Sequence, residues 1–224
     1  MSKKSELTLD RTWPYILTIG GVIGFLASFE LTLDKIKLIQ NPNFVPNCNL
    51  SPLISCGSVI KTQQSAVAGF PNSLMGVAGF AIVITIGMAL IAGLQPQKLS
   101  RWFWLGLQSG TILAIGLLTW LQYQSIFTIR ALCPWCMVVW TVTMPIFWYT
   151  TLYNLRTGVI TTPKSLKELV AFIQKHHGDI LVFWYAMIIF IIMNHFWYYW
   201  KTLIWRSSSY PWGLSVIICG VRRP

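Results

Sequence analysis

The chain has 224 residues, a formal net charge of +11, 10% charged residues and 54% hydrophobic ones, with a mean hydropathy of +0.58. A soluble domain carries about 25% charged residues, so the composition excludes an ordinary soluble fold and points to an all-α integral membrane protein surrounded by lipid. The basic residues mark loops between apolar runs and form no continuous patch, which argues against a nucleic-acid partner.

Five runs reach the roughly 18 apolar residues that a spanning helix requires: 13–33, 73–94, 102–126, 132–155 and 180–200. The first is longer than the h-region of a signal peptide and is followed by no small-residue cleavage site. It is predicted to end near Leu33, just past Glu30. An outer loop, 34–72, then carries Pro42, Pro46, Pro52, Pro71, Cys48 and Cys56. Such a length suggests more than a connection. Within it, "SVIKTQQSAVAGF" predicts a short helix capped by Ser58 that covers the bundle or dips into the bilayer edge.

The second and third runs follow. The fourth opens on "ALCPWC". Between the fourth and fifth runs, "SLKELVAFIQKHHG" predicts a membrane-surface helix. Ser165 and Glu168 would form its capping box, and Leu166, Leu169, Val170 and Ile173 its apolar face. Gly178 would end it, and Lys164, Lys167 and Lys175 would meet anionic headgroups. Residues 1–205 read as one membrane domain and 206–224 as a short tail.

Loop charge sets orientation. With the N-terminus inside, inner loops hold Lys3, Lys4, Arg11, Lys98, Arg101, Arg156, Lys164, Lys167 and Lys175. Outer loops hold Lys35, Lys37, Lys61 and Arg130. Nine against four predicts a cytoplasmic N-terminus. Lys201, Arg206, Arg222 and Arg223 on the outer side blunt the bias without reversing it.

This topology puts four of the five cysteines at the outer face, which in a bacterium is the oxidising periplasm. Cys133 and Cys136 stand three apart at a helix start, on one face and within about 5–6 Å. The helix N-terminus favours thiolate. Pro134 suits the first turn, where no N–H is needed. These features describe a dithiol that cycles, since exchange requires thiolate. Two other readings remain. Cys48 and Cys56 could form a static structural disulfide. Four cysteines could hold zinc, although seven residues between Cys48 and Cys56 exceed the usual ligand spacing. Cys219, in the tail, reads as a bystander.

"CNLSPLISC", "FPNSLMG" and "CPWC" at a helix start together resemble the vitamin K epoxide reductase family, most closely its bacterial members. The resemblance covers roughly residues 10–155. It implies a four-helix bundle around a quinone with a fifth transmembrane helix added. It also implies a membrane thiol oxidoreductase that drives disulfide formation. Cys48 would exchange with the partner's dithiol, Cys56 would pass electrons to Cys133, and Cys136 would face the quinone, whether ubiquinone, menaquinone or phylloquinone.

Thr62 matches a position where the family usually has Ser. Asn72 matches the family's Asn that hydrogen-bonds a quinone carbonyl, and Trp140 a position that is Tyr in animal members. Met75 and Val138 are further candidates for the ring's wall. Relatives often carry a thioredoxin-like domain after the fifth helix. The chain stops at Pro224 with no βαβ pattern, so the expected partner is a separate periplasmic thioredoxin-fold protein. The implied location is the bacterial inner membrane, with the site at its outer face. A DsbB-like quinone reductase of a different family would do the same job with a similar set of cysteines. A non-catalytic scaffold with a disulfide or zinc is the other alternative.

Overall fold

The computed structural model describes residues 3–51, 53–161 and 167–201. The helices are α1 Lys3–Gln40, α2 Cys56–Ile60, α3 Asn72–Ile91, α4 Arg101–Tyr123, α5 Pro134–Arg156, α6 Lys167–Lys175 and α7 His177–His195. Five helical stretches are long and apolar enough to cross a membrane: Thr12–Gln40, Asn72–Ile91, Arg101–Ile129, Pro134–Arg156 and His177–His195. The protein is an all-α membrane protein. Among the described residues, extended pairing is limited to one parallel bridge between Ile54 and Leu132.

The chain divides into two compact units, Met1–Leu181 and Val182–Pro224. In the first, α1 packs along α3 and α5, and α4 packs on α5. Small residues allow the close approach of α1 and α3. A Cβ on Gly87 would lie 2.9 Å from the backbone nitrogen of Thr18, and one on Gly24 would collide with the Phe80 ring. Trp13, Leu17, Phe80, Val83, Trp104 and Ile146 form the main core. Trp13 stacks on Tyr153 at 4.2 Å between ring centroids. In the second unit the described residues continue α7 and add a helical turn at 197–201. Val182, Phe183, Ile189 and Phe190 there present apolar surface that suits lipid.

α1 does not end near Leu33. Its 38 residues span about 57 Å, well beyond a hydrocarbon core of about 30 Å. Asp34, Lys35 and Lys37 end the apolar run but not the helix. Leu31 and Leu38 continue its buried face against Cys56, Ile60 and Cys133, so packing carries the helix outward. It stops where Pro42 follows Asn41, whose side chain accepts from the Asn43 N–H at 3.0 Å.

The short helix of the outer loop starts earlier than predicted. α2 is capped by Ser55, whose hydroxyl accepts from the Ser58 N–H at 3.2 Å. A 3-10 turn, Gln63–Ala66, follows it. On the other side of the bundle, α6 ends at Lys175, and Gly178 lies inside α7 rather than closing α6. Leu169 and Phe172 of α6 are exposed. The predicted capping residue Ser165, together with Lys164 and Leu166, lies outside the described residues, as do Pro52 and the tail with Cys219.

Candidate functional site

The site is assembled where the outer loop meets the start of α5. Leu132 N–H donates to the Leu53 carbonyl at 2.8 Å and Ser55 N–H to the Leu132 carbonyl at 2.9 Å. This bridge sets the loop's register, so Cys56, two residues past Ile54, arrives beside Cys133, one residue past Leu132. α4 reaches this point through a π-helical turn, Gln124–Ile129, closed by Arg130 in the left-handed region at φ 57°. Such turns are frequent at functional sites. Here it redirects the chain so that α5 begins directly under the loop.

Asn49 holds the loop from within. Its Oδ1 accepts from the Gly57 N–H at 2.9 Å and from the Ser55 hydroxyl at 3.0 Å. A Cβ on Gly57 would sit 3.0 Å from the Asn49 side chain. Cys48 and Cys56 are joined as a disulfide, with their Cα atoms 5.7 Å apart. Cys133 and Cys136 are free.

The four sulfurs form a line. Cys48 is half-buried, and Cys56 and Cys133 are wholly buried. Their Sγ atoms lie 3.4 Å apart. Cys136 is half-buried and lies on the wall of a cavity of about 580 Å³. Cys133 is the N-cap of α5, and its sulfur accepts from the Cys136 N–H at 3.4 Å. Hydrogen bonds from the Cys136 thiol and from the Cys136 and Trp135 backbone hold the Cys133 thiol below the usual thiol range, against the opposing effect of burial. The sulfur nearest the disulfide is thereby favoured as thiolate, the form that exchanges.

The cavity lies in the first unit, with walls from α1, α3, α4, α5 and the 59–65 segment. Of the residues singled out from sequence, Thr62, Asn72, Met75 and Trp140 line it together with Cys136. Val138 does not. It packs against the main core, and Val139 stands on the wall instead. The reason is helical phase: Cys136, Val139, Trp140 and Thr143 share one face, whereas Val138 is about 200° from Cys136.

Two of these side chains also build the wall. Asn72 Oδ1 accepts from the Val67 N–H at 2.9 Å and its Nδ2 donates to the Gln64 carbonyl at 2.7 Å. One N–H of that amide is left over. The Thr62 hydroxyl donates to the Val59 carbonyl at 2.7 Å.

Lys35 is a site residue that the sequence pattern does not disclose, because its charge places it in the outer loop. It is the charged side chain among the described residues on the cavity wall. Its ammonium donates to the Ile60 carbonyl at 2.6 Å and to the Ser65 hydroxyl at 3.0 Å, which leaves a third N–H. Its position four after Leu31 on a helix would have disclosed it, had α1 been carried past Leu33. Among the described residues, no group of three or more His, Cys, Asp or Glu stands together in a way that could hold a metal ion.

A family model described as the vitamin K epoxide reductase family matches residues 15–151. The chain belongs to the vitamin K epoxide reductase family. No curated protein matches it. The matched stretch takes in all four cysteines of the line and every cavity residue named above, while α6 and α7 lie beyond it. Membership in the vitamin K epoxide reductase family supports a membrane thiol oxidoreductase.

Proposed function

We propose that this protein oxidises the dithiol of a separate thioredoxin-fold partner at the outer face of a bacterial inner membrane and passes the electrons to a membrane quinone. The observation that carries this reading is the line of four sulfurs. Its two ends alone can be reached, Cys48 from the outer loop and Cys136 from the cavity, and the 3.4 Å contact between Cys56 and Cys133 joins them.

The partner's thiolate attacks Cys48, because Cys56 is wholly buried. The resulting pair of thiols at Cys48 and Cys56 reduces a Cys133–Cys136 disulfide through a Cys56–Cys133 link. The Cys133–Cys136 dithiol is then oxidised at the cavity, where a quinone accepts two electrons and two protons and leaves as quinol.

The cavity suits such a ligand. Its wall is mostly apolar side chains, as a hydrophobic ring and tail require, with a few placed donors for orientation. The remaining Asn72 N–H and the third Lys35 N–H are the donors available to a carbonyl oxygen. Trp140, an N–H donor only, is a third group on the same wall.

The test uses purified protein in detergent with a reduced thioredoxin-fold dithiol protein, following ubiquinone and menaquinone absorbance. Quinone loss that disappears in Cys133→Ser and Cys136→Ser proteins and persists in Cys219→Ser is the expected result. Full activity of Cys136→Ser sinks the electron path. No quinone loss, with all four cysteines unchanged by the dithiol, moves the protein to the structural-disulfide reading.

A further inference from the structure

The electron path uses four sulfurs and leaves one buried ionisable group without a task. Asp34 is 8% exposed, and its Oδ2 lies 3.8 Å from Cys48 Sγ. Asp34 stands three after Leu31 and four before Leu38. Both leucines pack against the Cys56–Cys133 cluster, so α1 holds the carboxyl on the side that faces the cysteines.

A buried carboxyl is ordinarily paired or hydrogen-bonded. Among the described residues no cation lies within ion-pair distance of Asp34. Lys35 is engaged with Ile60 and Ser65. Lys37 lies over the Phe44 ring at 5.5 Å and acts on the carboxyl through its charge, as Glu30 does with the opposite sign. Glu30 is exposed one turn earlier, and the facing segment 41–60 contains no charged residue. Among the described residues, the sulfur of Cys48 is the polar side-chain atom in contact with this carboxyl.

We propose that Asp34 is the acid–base catalyst of the outer exchange, a role that rests on the electron path above. The partner's thiolate attacks Cys48, the Cys48–Cys56 bond breaks, and Cys56 leaves as thiolate. The partner's second thiol releases its proton to the outer solvent and attacks its own sulfur in the mixed disulfide. The partner's disulfide forms, and Cys48 departs with both electrons of the broken bond. Asp34 gives Cys48 its proton and becomes carboxylate.

In the inward step the Cys56 thiolate attacks Cys133, the Cys133–Cys136 bond breaks, and Cys136 leaves as thiolate. Cys48 then attacks Cys56, surrendering its proton to Asp34 while Cys133 leaves as thiolate. The Cys48–Cys56 disulfide is restored and Asp34 is again protonated. Two electrons have moved from the partner to Cys133 and Cys136. A positioned acid that serves both directions is needed here because Cys48 must leave in one step and attack in the next.

The experiment treats the full chain in detergent with dithiothreitol as the dithiol and stops the reaction with a maleimide that adds mass to each thiol. Release of Cys48 is read by mass spectrometry, which separates Cys48 carrying the maleimide from Cys48 still joined to dithiothreitol. Asp34→Asn is expected to slow that release by at least about tenfold, approaching the range of a positioned acid or base. Asp34→Glu is expected to recover most of the rate. In the second arm, prereduced Asp34→Asn protein mixed with a short-chain ubiquinone is expected to oxidise Cys133 and Cys136 at the wild-type rate.

Release of Cys48 from Asp34→Asn at the wild-type rate overturns the proposal. So does equal slowing of both arms, which marks a structural role. If Asp34→Asn does not fold, Asp34→Ser takes its place: slowing confined to the dithiothreitol arm supports the assignment, and release at the wild-type rate overturns it. A silent quinone arm in the wild type removes the quinone reading, while the release rates still decide Asp34.

Discussion

At the scale of single residues, the site depends on groups that do no redox chemistry. Asn49 is the first. It satisfies the N–H of Gly57, a buried residue, and the Ser55 hydroxyl with one oxygen. Asn49→Ala orphans that N–H at a cost of about 1–3 kcal/mol. It also frees the segment that carries Cys56 toward Cys133. A lower melting temperature, with slower electron passage from Cys48–Cys56 to Cys133–Cys136 in a thiol-trapping time course, is the expected result. An unchanged melt would show that the Ile54–Leu132 bridge and the Cys48–Cys56 disulfide hold the loop without Asn49. Residue chemistry was legible in the sequence where a side chain has one plausible environment. The two cysteine pairs, Asn72 after Pro71 and Trp140 four after Cys136 were all readable as site candidates. Val138 was misplaced for want of helical phase. Asp34 and Lys35 are hidden in the sequence because charge there reads as the end of a membrane helix.

At the scale of elements, the decisive features are the places where packing overrides local signals. α1 continues for a further turn or two because Leu31 and Leu38 have a surface to bury against, a fact available only once the outer loop is folded. The parallel bridge at Ile54 and Leu132 joins segments far apart in sequence and leaves no mark on either. The π-helical turn before α5 is equally invisible, although Arg130 is sensitive to it. At φ 57° a non-glycine residue pays roughly 1–2 kcal/mol, and a β-branched one is a steric outlier. Arg130→Gly is expected to melt at or above the wild-type temperature and to keep thiol exchange. Arg130→Val is expected to melt lower and to slow transfer into Cys133, because the start of α5 shifts. Equal behaviour of the two variants in calorimetry and thiol trapping would remove the turn from the argument.

At the scale of the whole molecule, five helices are long and apolar enough to cross a membrane, and loop charge predicts which way the proposed chemistry faces. The loops between the spans place nine Lys and Arg inside and four outside, with four more after the fifth span on the outer side. Carrying α1 out to Gln40 keeps Lys35 and Lys37 on the outer side of that count. The proposed reaction requires the same orientation, because a partner disulfide persists in an oxidising compartment. The two arguments are independent and can be tested together in intact cells. In a Cys219→Ser background, Cys48 treated with dithiothreitol is expected to react with a membrane-impermeant maleimide. Gln97→Cys, exposed in the turn before α4, is expected to react only after permeabilisation. Reversed labelling would put Cys48 in the reducing cytoplasm. The line of sulfurs would then have to run the other way, carrying electrons from quinol toward a cytoplasmic disulfide, and the proposed direction of the reaction would be lost along with the topology.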